Sequence, residues 1–423
     1  MSIGVWGAGI EGIAATKMLV NQGEKVFIAD ELASERPDAL PETVDFYCGE
    51  NAIAHLLNAE TVFCSPGVPG VHPFREQLKS AGVKLTSLAN QWMQTYGDRT
   101  IGVTGTKGKS TTTTLVAGLL VAAGKPAHIG GNIGVPLDTL PAGKEAAAVE
   151  LSSYQCASLQ KSPKIAVITS LYSDHLPWHG SQEQYLADKM RVFGAGCEVL
   201  VSDSTVLAQV QKLGVNLPKT VRTPDDALKT RIDGILKTAQ VSVMPQNLCL
   251  AVLAAEALLE HNLTDAEIHS ALVSFQPLPH RLQLVSEARG LRWIDDTLST
   301  VPESVIIALQ AFPGEVVLLA GGLDRGINYT KLTDFLKGRT PLPRVITLPS
   351  NGKRIVDAYE KAHPDFVHHA SSLEEAVKLA PEFALEGATV LLSPGAPSHD
   401  LYKNYADKSA HFIAAIRALD PEQ

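Results

Sequence analysis

Short apolar runs alternate with stretches of helical periodicity along the whole chain, and that alternation is the first guide to its fold. Ile3–Trp6, Lys25–Asp30, Thr61–Cys64 and Lys84–Ser87 read as strands, with a helical pattern running through Val20 after the first of them. Ile101–Thr104, Ala146–Ser153, Ile165–Thr169 and Val199–Ser202 form a second set, interleaved with helical segments at Lys109–Leu120, Ser181–Phe193, Met244–Glu260 and Asp265–Val273. His128–Gly134 reads as a glycine-rich loop, and the segment from Ser202 to about residue 240 has no clear pattern. A third set begins with a hairpin-like pair, Arg281–Val285 and Leu291–Asp296. A helix starting at Pro302 and the strands Val316–Gly322, Arg344–Leu348 and Ala388–Ser393 follow. Near-continuous apolar strands separated by helices belong to parallel sheets covered on both faces. The fold class is therefore α/β in three domains, 1–93, 94–277 and 278–423, with Rossmann-like outer domains around a central phosphate-loop domain.

Composition narrows the class. At 423 residues, with 45% hydrophobic and 19% charged positions, the chain is an ordinary globular one, too long for a single core. A formal charge of −9 argues against nucleic-acid binding. The five cysteines are scattered without a Cys-x-x-Cys pair, which fits reduced thiols better than disulfides or zinc. No apolar run reaches membrane-spanning length, and the opening residues enter a strand directly. These features lead us to expect a cytoplasmic protein without membrane insertion.

The sharpest chemical signal is Gly105-Thr106-Lys107-Gly108-Lys109-Ser110-Thr111, between a strand and a helix. Glycines let successive N–H groups converge on a phosphate, the helix N-terminus favours the anion, Lys109 adds a charge, and the Ser110 hydroxyl suits Mg²⁺. The general pattern asks for glycine where Val103 stands, so the loop is a short variant. Gly7, Gly9 and Gly12 match the dinucleotide fingerprint, with Asp30 at the distance of a ribose-binding acid. Ser65-Pro66-Gly67 lies at the carboxyl end of a strand, where open α/β sheets bind ligands. Glu150 at a strand end suits a magnesium ligand, or is a partly exposed edge residue. Asn132 lies in what reads equally as a plain connector. Asp174-His175 after a strand is compatible with a metal or phosphate site, although a lone histidine is more often structural. Lys189 and Arg191 read by default as solvated cations.

The motifs in combination resemble the Mur ligase family, in the branch that adds glutamate to UDP-N-acetylmuramoyl-L-alanine. The resemblance rests on Gly105–Ser110, Gly130–Gly134, Glu150–Gln155, Asp174-His175, Leu278–Arg281, Gly321–Gly326 and Leu392–Ser398, in that order across nearly the whole chain. It implies an ATP-dependent ligase that makes an amide bond through an acyl phosphate in peptidoglycan precursor synthesis, as a monomer. It further implies a catalytic group of Lys109, Glu150, His175 and Lys189. Ser110, Glu150, His175 and a carbamylated Lys189 would hold two Mg²⁺ ions, and ATP would meet residues 105–111, Asn247, Arg281 and Asp296. For the UDP substrate the implied contacts are Gly9, Ile10, Glu11, Asp30, Glu31, Ser65, Pro66, Gly67, Asn132, Ser152 and Gln155. For glutamate they are Arg325, Ser398 and Tyr405.

Departures from the family pattern sharpen the expectation. Asn247 is kept in the helix near the adenine, but a second asparagine is replaced by Leu250. In Asp296-Thr-Leu-Ser-Thr-Val301 a lysine near the incoming glutamate has become Leu298. Arg325 could supply that charge in a different geometry. Together with the altered segment before Ser398, these changes resemble the variant branch that uses L-glutamate, D-glutamate being the family default. The rival readings are a folylpolyglutamate synthase-like ligase, an NAD-linked dehydrogenase using Gly7–Gly12, and a regulatory nucleotide-binding module.

Overall fold

The computed structural model describes residues 2–133, 135–172, 176–239, 241, 243–275, 280–324, 328–398 and 401–419. The chain divides into two compact units, Met1–Phe275 and Gln276–Gln423. Among the described residues it forms three sheets, two in the first unit and one in the second.

The first sheet contains β1 (Ser2–Trp6), β2 (Lys25–Asp30), β3 (Asp45–Cys48), β4 (Thr61–Cys64) and β5 (Lys84–Thr86), in the order β3-β2-β1-β4-β5 and all parallel. Its first crossover is the helix Ile10–Asn21, which packs so tightly that a Cβ on Gly12 would lie 1.9 Å from the Gly7 carbonyl oxygen. Glycine at that position is the price of close helix–strand approach.

The second sheet orders β11-β10-β9-β6-β8-β7. Its strands are β6 (Thr100–Thr104), β7 (Ala127–Gly131), β8 (Ala146–Glu150), β9 (Ile165–Ile168), β10 (Val199–Ser202) and β11 (Thr220–Arg222). They too are parallel. One continuous core runs from Val5, Ile28 and Phe63 of the first sheet through Trp92 to Val149 and Ile168 of the second. Each such side chain removed from water contributes about 1.5–3 kcal/mol, which fastens these two sheets into one unit.

Two segments differ from what their sequence predicts. Most of His128–Gly134 is strand rather than loop: β7 ends in Gly131, which takes φ +93° and passes its N–H to Val135. The patternless segment before residue 240 holds the helix Ser204–Lys212, the edge strand β11 and the helix Asp226–Ala239.

The third sheet comprises β12 (Gln283–Ala288), β13 (Leu291–Asp295), β14 (Val316–Ala320), β15 (Arg344–Thr347), β16 (Val367–His369) and β17 (Thr389–Leu392). Its order is β12-β13-β17-β14-β15-β16, with only the β12–β13 pair antiparallel. The hairpin turns at Arg289-Gly290, both at positive φ. The α/β architecture with a phosphate loop in its central domain is therefore the one that the alternation of strands and helices predicts. No helix among the described residues is long and apolar enough to cross a membrane.

Candidate active site

Strand β6 delivers the chain into the phosphate loop, and the helix Lys109–Ala122 leaves it from Gly108 at φ +85°. Gly105 sits at φ +145°, where a Cβ would come within 2.1 Å of Thr169 Oγ1. Lys109 folds back over the loop, its Nζ donating to the carbonyls of Gly105 (3.1 Å) and Thr106 (3.0 Å). Lys107 N donates to Ser170 Oγ at 2.8 Å, and Thr106 Oγ1 bonds the Tyr185 hydroxyl at 2.8 Å. Ser110 and Thr111 occupy the first turn of the helix.

Lys189 is not the solvated cation of the default reading. It is 2% exposed, lies over the Tyr185 ring and donates to the Gly105 carbonyl at 2.8 Å. Two ammonium groups thus meet on one loop carbonyl, which concentrates positive charge where an anion would be cradled. Arg191, by contrast, remains exposed.

Glu150 ends β8 opposite Val103 of β6, the strand that leads into the loop. It is 2% exposed; Oε1 accepts from Asn132 Nδ2 at 2.7 Å, while Oε2 is buried without a hydrogen-bond partner. A buried carboxylate oxygen left unpaired is costly, and a cation is the partner that would satisfy it. Asn247 reaches the same loop, since a Cβ on Gly108 would stand 2.7 Å from its Oδ1. Leu250, one turn on, is fully buried among Leu248, Cys249 and Ala251 and faces the core instead. His175 and Arg325 lie outside the described residues, and among those residues no group of three His, Cys, Asp or Glu side chains forms a metal cluster.

The carboxyl edge of the first sheet carries the expected UDP residues. Asp30 is committed to the backbone: Oδ2 accepts from Ala8 N at 2.7 Å, and Oδ1 from Leu32 N and Ala33 N. It ties the glycine turn to the next loop, while Glu31 faces His72 and Ser65 Oγ donates to Gly7 O at 2.7 Å. Ile10 and Leu32, beside this turn, are 78% and 91% exposed. Leu32 was invisible in the sequence because one apolar residue in a loop carries no periodicity.

Ser152 caps a short helix, Ser153–Ala157, through a reciprocal box with Gln155. Gln155 Nε2 in turn donates to Glu11 Oε1. A cleft of about 650 Å³ opens beside it, lined among others by Ser65, Pro66, Tyr154, Gln155 and Trp178.

Burial pushes the Glu11 carboxyl up to about 7; the Gln155 donor opposes this and Asp138 adds to it. The unfolded chain ionises near 4.5, so between that value and about 7 only the unfolded state loses the proton. Glu11 therefore weakens the fold progressively as pH rises through this window. Glu11→Gln is expected to raise Tm at pH 8 and leave it nearly unchanged at pH 4.5. A thermal-shift measurement at both values checks this, and an equal change at both would show that ionisation is not the cause.

In the second unit the acidic pair Asp295-Asp296 lies at the end of the strand β13. Asp296 is 1% exposed; its oxygens accept from Leu282 N (3.3 Å) and Ser393 Oγ (2.7 Å). Burial pushes its carboxyl up to about 6 against the charge of Arg281. Neighbouring Asp295 accepts from His280 Nδ1, Ser409 Oγ and Thr297 N. Ser398 Oγ is buried without a partner, and Tyr405 begins the helix Tyr405–Arg417 with its ring 5.7 Å from His280. Lys408 on that helix, 2% exposed, donates to Gly321 O at 2.9 Å. This buried cation was not anticipated, because lysine on an amphipathic helix reads as surface.

Parallel α/β domains with a phosphate loop in the central one define the class: a multidomain nucleotide-binding α/β protein. The chain belongs to the Mur ligase family. It matches the family model for the Mur ligase middle domain over residues 103–241 and that for the Mur ligase MurD-like N-terminal domain over 1–87. It is 36% identical to the UDP-N-acetylmuramoyl-L-alanine--L-glutamate ligase of Micromonospora sp., covering 98% of this chain and 96% of that one. It is 31% identical to the UDP-N-acetylmuramoylalanine--D-glutamate ligase of Nitratidesulfovibrio vulgaris, with 98% and 96% covered. The MurF ligase of Thermotoga maritima, solved in complex with ADP, shares the fold at a TM-score of 0.58 and 15% identity, over 99% of this chain and 95% of that one.

Proposed function

We propose that the protein is the ATP-dependent ligase joining UDP-N-acetylmuramoyl-L-alanine to glutamate, and that the amino acid is L-glutamate. The observation that carries the reading is the phosphate loop with Lys109 and Lys189 converging on Gly105 beside a buried, half-satisfied Glu150. Full-length similarity to glutamate ligases of this substrate supports it, with the L-glutamate enzyme of Micromonospora the more similar of the two described. The MurD-like match over residues 1–87 favours it over a folylpolyglutamate synthase.

In this reading residues 1–93 hold the UDP portion, 94–277 hold ATP and 278–423 hold glutamate. Gly9, Ile10, Glu11, Asp30, Glu31 and Ser65–Gly67 frame the UDP site, the diphosphate lying at the N-terminus of Ile10–Asn21. Asn132, Ser152 and Gln155 face the muramoyl group. The loop amides of residues 105–111 and Lys109 hold the phosphates, with Asn247, Arg281 and Asp296 as further ATP contacts.

Magnesium supplies opposite charge to the phosphates when bound. Ser110, Glu150 and a carbamylated Lys189, with His175, are the residues that would hold it; the unsatisfied Glu150 Oε2 fits this role. The γ-phosphoryl group passes to the alanine carboxylate, ADP departs, the glutamate amine attacks the acyl phosphate, and phosphate and a proton leave. Such a transfer depends on positioned charge more than on covalent groups. Arg325, Ser398 and Tyr405 would receive the glutamate. The enzyme would work as a cytoplasmic monomer in peptidoglycan synthesis.

An omission assay tests the reading. Phosphate release is expected only with UDP-N-acetylmuramoyl-L-alanine, ATP, Mg²⁺ and glutamate all present. Release with a reduced pteroate in place of the UDP substrate would point to the folate ligase instead.

A further inference from the structure

Next to the phosphate loop lies a buried network that the proposed chemistry does not use. His179 is 2% exposed and bonds on both sides of its ring: Nδ1 to Asp188 Oδ2 at 2.7 Å, and Nε2 to Ser153 Oγ at 2.9 Å. The tautomer that satisfies both donates from Nδ1 to the carboxylate and accepts the serine proton at Nε2. Asp188 is 5% exposed, and its other oxygen accepts from Gln184 Nε2 at 2.9 Å.

The order Ser–His–Asp is that of a nucleophilic triad, but Ser153 is 2% exposed and no substrate reaches its hydroxyl. What the network does is mechanical. Ser153 is the first residue of the helix Ser153–Ala157, which follows Glu150 and carries Gln155. Asp188 lies on the helix Gln182–Met190, directly before Lys189. His179 therefore fastens the helix that presents Lys189 to the helix that presents the expected substrate residues.

We propose that His179 is a positioning residue of the ligase. Through Ser153 and Asp188 it fixes the rotation of Gln182–Met190 that aims Lys189 at the Gly105 carbonyl. A side chain at a reacting site displaced by about 1 Å can lower the rate about 100-fold. The buried bonds to His179 are suited to prevent such a shift, because a buried polar group left without its partner is penalised.

The inference rests on the ligase reading, so the test has an arm that needs no turnover. In the full-length protein, kept free of bicarbonate so that Lys189 is an amine, acylation of Lys189 by an amine reagent is followed by mass spectrometry, with alkylation of Cys249, 1% exposed in the same unit, as the control for global loosening. His179→Ala and Ser153→Ala are each expected to raise Lys189 labelling about tenfold while Cys249 stays protected. The double variant should exceed neither single one. In the kinetic arm, kcat is expected to fall about 100-fold, with KM for the UDP substrate little changed. If His179→Ala also exposes Cys249, the Ser153→Ala variant decides. Lys189 labelled at the wild-type rate in that variant overturns the proposal. So does a rise in KM with kcat unchanged. Absence of turnover in the wild type would remove the ligase reading alone, since the labelling arm still decides the positioning of Lys189.

Discussion

Lys109→Ala is expected to lower phosphate release at least 100-fold, roughly the loss that follows removal of one preorganised charge donor from a reacting centre. The side chain is the one full charge in the first turn of the loop helix, and it arches over Gly105 and Thr106, where the β- and γ-phosphates would lie. Its loss removes stabilisation that grows as charge shifts towards the leaving ADP, so kcat should fall more than the affinity for the UDP substrate. The fold should survive, because Thr106 and Lys107 keep their bonds to the segment Thr169–Tyr172. Steady-state kinetics with a thermal melt of the same variant check both halves. An unchanged rate would return the chain to the class of regulatory nucleotide-binding modules.

Lys189→Ala should be about as damaging, about 100-fold in kcat, for a different reason. As an ammonium, Lys189 shares the Gly105 carbonyl with Lys109; as a carbamate, it would become an anion able to ligate or orient magnesium. The two states make opposite predictions for rescue. Short-chain carboxylic acids entering the space left by the side chain should restore activity if the carbamate is the working form, and alkylamines should do so if the ammonium is. Removing bicarbonate from wild-type enzyme should slow it only in the first case. Failure of both the acids and bicarbonate depletion to alter the rate would dismiss the carbamate.

Most of the fold was legible because buried parallel strands are apolar on both faces: β2, β4 and β10 lie where their hydrophobic runs place them. The strands that escaped, β3, β11 and β16, lie at sheet edges and, Val367 apart, carry exposed or half-buried side chains, so their sequences hold no such run. Strand β7 hid behind its glycines, although a Cβ on Gly131 would stand 2.2 Å from Glu150 O and glycine is what lets β7 and β8 approach. The phosphate loop was read directly, since its glycines, lysine and hydroxyl are adjacent in sequence. Lys189 and His179 were not, because pattern treats a charged or polar side chain as exposed. Their burial follows from tertiary bonds to Gly105, Ser153 and Asp188, and only the family resemblance singled out the lysine. Asp30 shows the converse: it sits at the spacing of a ribose ligand, yet its carboxylate is occupied by three backbone amides.

Leu298, where the family resemblance would place a lysine, is the departure that fits the proposed preference for L-glutamate. The most direct measurement is phosphate release, with mass identification of the product, from UDP-N-acetylmuramoyl-L-alanine, ATP and Mg²⁺ supplied with either L- or D-glutamate. The account predicts one phosphate per glutamyl product with L-glutamate and little with D-glutamate. Turnover with D-glutamate alone would contradict the L-glutamate assignment, and turnover with neither would contradict the ligase itself.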